Sequence, residues 1–373
     1  MMSFDAVKKF ILPNRRLHFW VTAIVAALLI PACRFTHLRV AIPESLGVFL
    51  LGWVLQSIVW AAVLYQIGIP GSWAALRSDG WRIVPALVMA GVIFLVAGWA
   101  AGALFAVAGF ATLEFYHRKG DWKALRTALL PWAYLALGIQ LALYFSSVIV
   151  SVRSCTEYDS LFARLDKSIM FGATVIGISR NAVPFYGAAE WLYYSIGGVM
   201  GAAILFLCLS GDSTTAFRMC GGILITYYLS LLLFFFLPAQ GPFIAAGLPS
   251  YLETATVQRM SFFNASVLYH HTRWITPPLG YYVAFPSLHV AQPVIAAWFL
   301  RKWSRVALIV GAYCVLLVPA ILILQWHYLI DIIGGLAVAA IAVWSVGGAT
   351  SRSQSLVEAE GLRLADTGGC ASR

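Results

Sequence analysis

Long apolar runs separated by short polar breaks set the pattern of this chain. A membrane helix needs roughly 20 apolar residues to cross the hydrocarbon. The candidate spans are 19–33, 46–69, 83–113, 129–152, 189–210, 218–237, 287–300, 305–325 and 328–348. Between them, Arg77-Ser78-Asp79-Gly80 and His117-Arg118-Lys119-Gly120-Asp121 are polar breaks, Gly211-Asp212-Ser213-Thr214 reads as a turn, and Arg301-Lys302-Trp303-Ser304-Arg305 is a short basic loop. The run 83–113 is unusually long. Its Gly98-x-x-x-Gly102 spacing suits a helix-packing face, and two short helices in its place would raise the number of crossings by one. Over 156–187 the pattern changes: Tyr158, Leu161, Leu165 and Met170 recur at roughly helical spacing, with Asp159, Arg164, Asp166 and Lys167 between them. That alternation predicts a helix lying in the membrane interface. The polar stretch 351–373 predicts a disordered tail.

Composition sharpens this into a class. The chain of 373 residues is 61% hydrophobic and 11% charged, whereas soluble domains devote about a quarter of their residues to charged side chains. So few charges cannot cover a soluble surface, which excludes a water-soluble enzyme, a nucleic-acid binder and a disordered chain. An all-α, multi-pass membrane protein remains. The net charge of +10 comes from short basic clusters between apolar runs, the arrangement of the positive-inside rule. Placing 301–305 in the cytoplasm puts the start of the 287 span, the junction at Gln325-Trp326-His327 and the 238–286 loop on the outer face, and returns the C-terminus to the cytoplasm. Nine spans then leave Lys8, Lys9, Arg15 and Arg16 outside, against the rule; ten place them inside. The six cysteines include no Cys-x-x-Cys pair, so neither a disulfide framework nor a zinc knuckle is expected.

The scarcity of charge locates the chemistry. Between Arg305 and Arg352 the one charged residue is Asp331, and ionisable groups inside a span are costly and therefore functional candidates. His327 lies four positions earlier, on the same helical face. A bond from its imidazole to Asp331 would fix the tautomer and leave the other ring nitrogen as base, nucleophile or ligand. The alternative is a satisfied polar pair that stitches helices together. A second histidine, His289, follows Phe285-Pro286-Ser287-Leu288 at the start of the seventh span. Pro286 suits a first helical turn, and the unpaired N–H groups around Ser287 to His289 form an anion site. The alternative there is a capping serine beside an interfacial histidine. The topology brings His289 and His327 to one face.

Pro286-Ser287-Leu288-His289 resembles the P-S-x-H signature of the phosphatidic acid phosphatase type 2 superfamily, and His327-Tyr328-Leu329-Ile330-Asp331 resembles the H-x-x-x-D end of its last signature. Two usual arginine-bearing elements are missing. Ala320 and Ile321 stand where S-R is expected, and upstream the chain reads Leu237-Pro238-Ala239-Gln240-Gly241-Pro242-Phe243. A Pro-rich turn, F-P-S-L-H-x-A and H-Y-x-x-D resemble the inositol phosphorylceramide synthase branch. So do Tyr158-Asp159-Ser160-Leu161, Leu165-Asp166, Phe171-Gly172 and Glu190-Trp191-Leu192-Tyr193-Tyr194. The resemblance covers roughly 155–348.

It implies a six-helix phosphatase-type core in the C-terminal part, with extra N-terminal transmembrane helices. The expected division is an N-terminal membrane region over 1–154, a catalytic domain over 155–348 and a tail over 349–373. The resemblance also implies catalysis by His327 as nucleophile, Asp331 as its orienting partner and His289 as general acid–base. Phosphate would be held by Ser287, with Gly241 and Pro242 as a wall of the headgroup pocket; no metal and no cofactor are implied. Arg273 is the first substitute for the missing arginines, ahead of Arg259 and Arg180. The expected partners are a membrane phospholipid donor and an alcohol or lipid acceptor. Outside this reading stand a lipid phosphatase using water, a transporter or proton relay built on His327 and Asp331, and a metal site of His289, His327 and Asp331.

Overall fold

The computed structural model describes residues 28, 39–40, 122–270, 274–275 and 283–346. Apart from Leu28, the first three candidate spans lie outside the described residues, as do the Gly98–Gly102 pair, Arg273 and the tail over 349–373. In chain order the helices are α1 (Trp122–Val152), α2 (Asp159–Ile169), α3 (Val175–Asn181), α4 (Tyr186–Tyr194), α5 (Ile196–Leu209), α6 (Ser213–Phe236), α7 (Glu253–Tyr269), α8 (Leu288–Phe299) and α9 (Ser304–Ile323). A final helix, α10, covers Leu329–Val346. Among the described residues the one extended pairing is parallel and two residues long, Arg39–Val40 against Trp274–Ile275.

Four stretches are long and apolar enough to cross a membrane: Val183–Cys208, Ser213–Phe236, Ser304–Ile323 and Leu329–Val346. Leu137–Val152 and Leu288–Phe299 are shorter apolar helices, which completes a core of six. The bundle is organised around α6, which packs against α1, α5 and α8, while α9 packs against α8, α4 and α3. Phe206, Met219, Ile223, Leu224, Ile295 and Leu300 are among the fully buried side chains at its centre. Asp212 caps α6 by accepting a hydrogen bond from the Thr215 N–H at 3.1 Å, as a short polar side chain before a helix should.

Two sequence expectations change. The 156–187 segment is helical, but as two helices, and the face with Leu161 and Leu165 points outward. Phe162 and Asp166 are buried instead, because Asp166 has work to do on a neighbouring helix. The 238–286 segment is no plain loop either: it contains α7, so the Asn264-Ala265-Ser266 sequence is helical. Glu190 caps α7 through the Thr254 N–H at 2.7 Å.

At one end of the bundle, three turns converge. The Ala284 N–H donates to Ala239 O at 3.0 Å, Phe243 N–H to Gln325 O at 3.1 Å, and Ser287 N–H to Asp331 O at 2.9 Å. Gly334 and Gly335 let α10 close on the 285–287 turn, since a Cβ on Gly335 would lie 2.4 Å from Ser287 O. Gly241 has φ +125°, and a Cβ there would lie 2.5 Å from Trp326 O. Both the conformation and the space exclude a side chain. Gly241→Ala is expected to cost about 1–3 kcal/mol of stability, read as a lower melting temperature in detergent. An unchanged melting temperature would mean that the turn has room to shift.

Candidate active site

His327 sits in the short connection between α9 and α10, 4% exposed. Its Nδ1 lies 2.8 Å from the Ala284 carbonyl oxygen. A carbonyl can only accept, so Nδ1 carries the proton and, in the neutral ring, Nε2 keeps its lone pair. Asp331 Oδ2 lies 3.4 Å from the same Nδ1 and accepts the Tyr328 N–H at 2.8 Å. The i,i+4 geometry places the pair together, as the spacing predicts. However, the nearer partner that sets the tautomer is a backbone carbonyl, because Asp331 also caps the start of its own helix. The carboxyl group is left lying beside the ring.

His289 occupies the first turn of α8. Its ring stacks on Tyr193 with centroids 4.4 Å apart and 22° between planes, and Tyr193 lies parallel to Trp326 at 5.4 Å and 4°. This aromatic stack fixes the orientation of His289. The centroids of His289 and His327 are 5.6 Å apart. Helix α8 begins at Leu288, with Ser287 in the capping position but making no side-chain cap bond. Pro286 therefore lies before the helix rather than in its first turn. The Ser287 hydroxyl is fully buried and without a partner, as is the Trp326 Nε1 donor. Buried donors of this kind usually have partners.

Two carboxylates brace the site from α2. Asp166 Oδ2 accepts the Leu329 N–H at 2.8 Å and Oδ1 the Ile330 N–H at 3.1 Å. It thereby caps α10 from another helix, where an anion also meets the positive end of the helix dipole. Asp159 accepts the Gln240 N–H at 3.0 Å, the Gly241 N–H at 2.8 Å and the Tyr328 hydroxyl at 3.0 Å. The Gly241 amide is thus engaged by Asp159, and Gly241 and Pro242 shape the turn that backs Trp326. Pro242 is buried in that turn.

Burial pushes the Asp159 carboxyl up to about 6, against the pull of its three donors. It is ionised at neutral pH and gains a proton as pH falls through about 6. Protonation puts a donor into a group that faces three donors. Activity should fall on acidification through that range, and the Asp159→Asn protein, uniformly weak, should lack this limb. An acid limb of the same position in both proteins would assign it to another group.

The remaining predicted residues are placed as follows. Arg180 and Arg259 are exposed, and Arg259 reaches Thr256 on its own helix. Among the described residues, no Lys or Arg lines the cavity that holds His289 and His327. No group of three His, Cys, Asp or Glu side chains among the described residues is arranged to hold a metal ion. Sequence reasoning missed the bracing roles of Asp159 and Asp166 and the ring platform of Tyr193. The one signal for the carboxylates was their place in the stretches Tyr158-Asp159-Ser160-Leu161 and Leu165-Asp166 that carry the resemblance.

The bundle of apolar helices thus holds a histidine pair and a buried carboxylate at one end. Residues 162–345 match the family model of the PAP2 superfamily, so the C-terminal part of the chain carries a PAP2 domain. Members of that superfamily are phosphatases or phosphotransferases acting on lipid phosphate esters. No curated protein and no solved structure matches the chain.

Proposed function

We propose that the chain is a membrane lipid phosphotransferase, moving a phosphorylated headgroup from a phospholipid to an alcohol acceptor through a phosphohistidine. The observation that carries this reading is the His327 Nδ1 bond to Ala284 O at 2.8 Å, which leaves Nε2 as the nucleophile. The Nε2 lone pair attacks phosphorus, and the P–O bond to the lipid breaks. The scheme requires a protonated His289 at this step, and its proton goes to the leaving alkoxide. Asp331 offsets the charge on the His327 ring. His289 then takes the proton of the acceptor hydroxyl as its oxygen attacks phosphorus, and the N–P bond breaks with its electron pair returning to Nε2. In this scheme Ser287 Oγ and the Leu288 and His289 N–H groups hold phosphoryl oxygens.

The absence of Lys and Arg from the described cavity lining favours a donor that carries one negative charge, a phosphodiester, over a phosphomonoester with two. The resemblance to the inositol phosphorylceramide synthase branch favours transfer of the inositol- or sugar-phosphate type, with an alcohol as acceptor. Arg273 stays a candidate anchor from the sequence. By the positive-inside rule the site faces the extracytoplasmic or lumenal side and the C-terminus faces the cytoplasm. The test is to incubate detergent-purified protein with labelled phospholipids, with and without inositol. A labelled inositol product is expected. Release of free headgroup phosphate alone, unchanged by inositol, would assign the chain to lipid phosphatases instead. No turnover of any phospholipid would overturn both readings, and loss of activity in chelator would restore the metal-site reading.

A further inference from the structure

The cavity that holds the histidines continues between α1, α5, α6 and α8, where Leu135, Ile139 and Ile204 are among its walls. Gln292, Tyr227 and Ser230 are among the polar side chains that line it. Gln292 follows His289 on α8 by one turn, about 4.5 Å along the axis. Tyr227 and Ser230 are one turn apart on α6. Gln292 Nε2 donates to the Tyr227 hydroxyl at 3.1 Å. Ser230 is 2% exposed and its hydroxyl has no partner. A buried hydroxyl without a partner destabilises the fold, and alanine would fill the same position without that cost. A ligand that bonds to it removes the penalty.

We propose that Tyr227, Ser230 and Gln292 form a lipid-recognition subsite, which hydrogen-bonds a hydroxyl, amide or ester group in the hydrocarbon part of the substrate. The occupant is the lipid portion of a phosphate ester, because one cavity is lined by both histidines, by Gln292 one turn from His289 with Tyr227 and Ser230 across from it, and by the apolar side chains of α1 and α5. Those three kinds of lining match the parts of a phospholipid: ester oxygen, polar linkage and hydrocarbon chain. The proposal rests on the catalytic reading of His289 and His327 and adds to it the part of the lipid that is recognised.

The test uses three phosphodiesters with one headgroup: a plain alkyl chain, a diacylglycerol and an N-acyl amino alcohol. The wild type should prefer at least one of the two linkage-bearing lipids, with the alkyl compound as reference. In Ser230→Ala and in Tyr227→Phe, each of which deletes a single oxygen, the ratio of kcat/KM for the preferred lipid over the alkyl one should fall by roughly tenfold. A ratio that stays at the wild-type value, including one where both rates fall together, overturns the subsite.

Binding is read separately on the His327→Ala protein, as thermal stabilisation by the same three lipids. Adding Ser230→Ala should erase the preferential stabilisation by the linkage-bearing lipid. If the wild type turns over none of the lipids but this binding preference appears and is lost with Ser230, the catalytic reading fails and the subsite stands. If the three lipids stabilise the protein equally, the subsite fails whatever the histidines do.

Discussion

His327→Ala removes turnover, with kcat/KM falling on the order of 10⁴-fold or more, the scale seen when a covalent nucleophile is deleted. The loss is this large because no other described group offers an unprotonated nitrogen in the same place. Nδ1 is held by Ala284 O at 2.8 Å, so Nε2 alone is free to bond to phosphorus, and alanine leaves only hydrolysis by adventitious water. The variant should still fold, since the hydrogen bonds that the Leu329 and Ile330 N–H groups donate to Asp166 at the start of α10 do not involve the imidazole. The readout is turnover of a labelled phospholipid together with label retained on denatured protein. The wild type should carry label in an acid-labile, base-stable form, and His327→Ala should carry none. Activity within tenfold of wild type, or equal labelling of the variant, would sink the phosphohistidine scheme.

The reason this residue could be found in the sequence is the same reason the protein is a membrane protein. With 11% charged residues, a single carboxylate in a long apolar stretch stands out, and Asp331 leads to His327 by helical spacing. The apolar spans after residue 129 were legible for the same cause, because apolar length is a local property. What stayed hidden is long-range. The nearest partner of His327 is a backbone oxygen forty-three positions away, and backbone atoms leave no mark in a sequence. Asp159 and Asp166 sit among charged neighbours and read as the wet side of an interfacial helix. Only the fold shows that they cap turns more than eighty positions distant in the chain. The Tyr193–Trp326 stack is likewise invisible, since an aromatic residue near a membrane interface already has an ordinary explanation. Helix α7 was missed because it carries no strong apolar face to announce it.

His289→Ala tests the division of labour between the two histidines, and its outcome depends on the leaving group. For a natural phospholipid the departing alkoxide is a strong base and needs a proton as the P–O bond breaks, so loss of the general acid should lower the rate about 10²–10⁴-fold. A phosphodiester with a nitrophenolate leaving group needs no such proton. On that substrate the first half-reaction of His289→Ala should run near the wild-type rate, seen as a burst of nitrophenol equal to the enzyme present. Turnover after the burst should remain slow, because the acceptor hydroxyl still lacks its base. His327→Ala should give no burst on either substrate. The 5.6 Å between the two ring centroids and the clamp of Tyr193 on His289 at 4.4 Å both support a fixed proton carrier beside a fixed nucleophile. If His289→Ala lost the burst as completely as His327→Ala, the two rings would be acting on the same step, and His289 could not be the leaving-group acid.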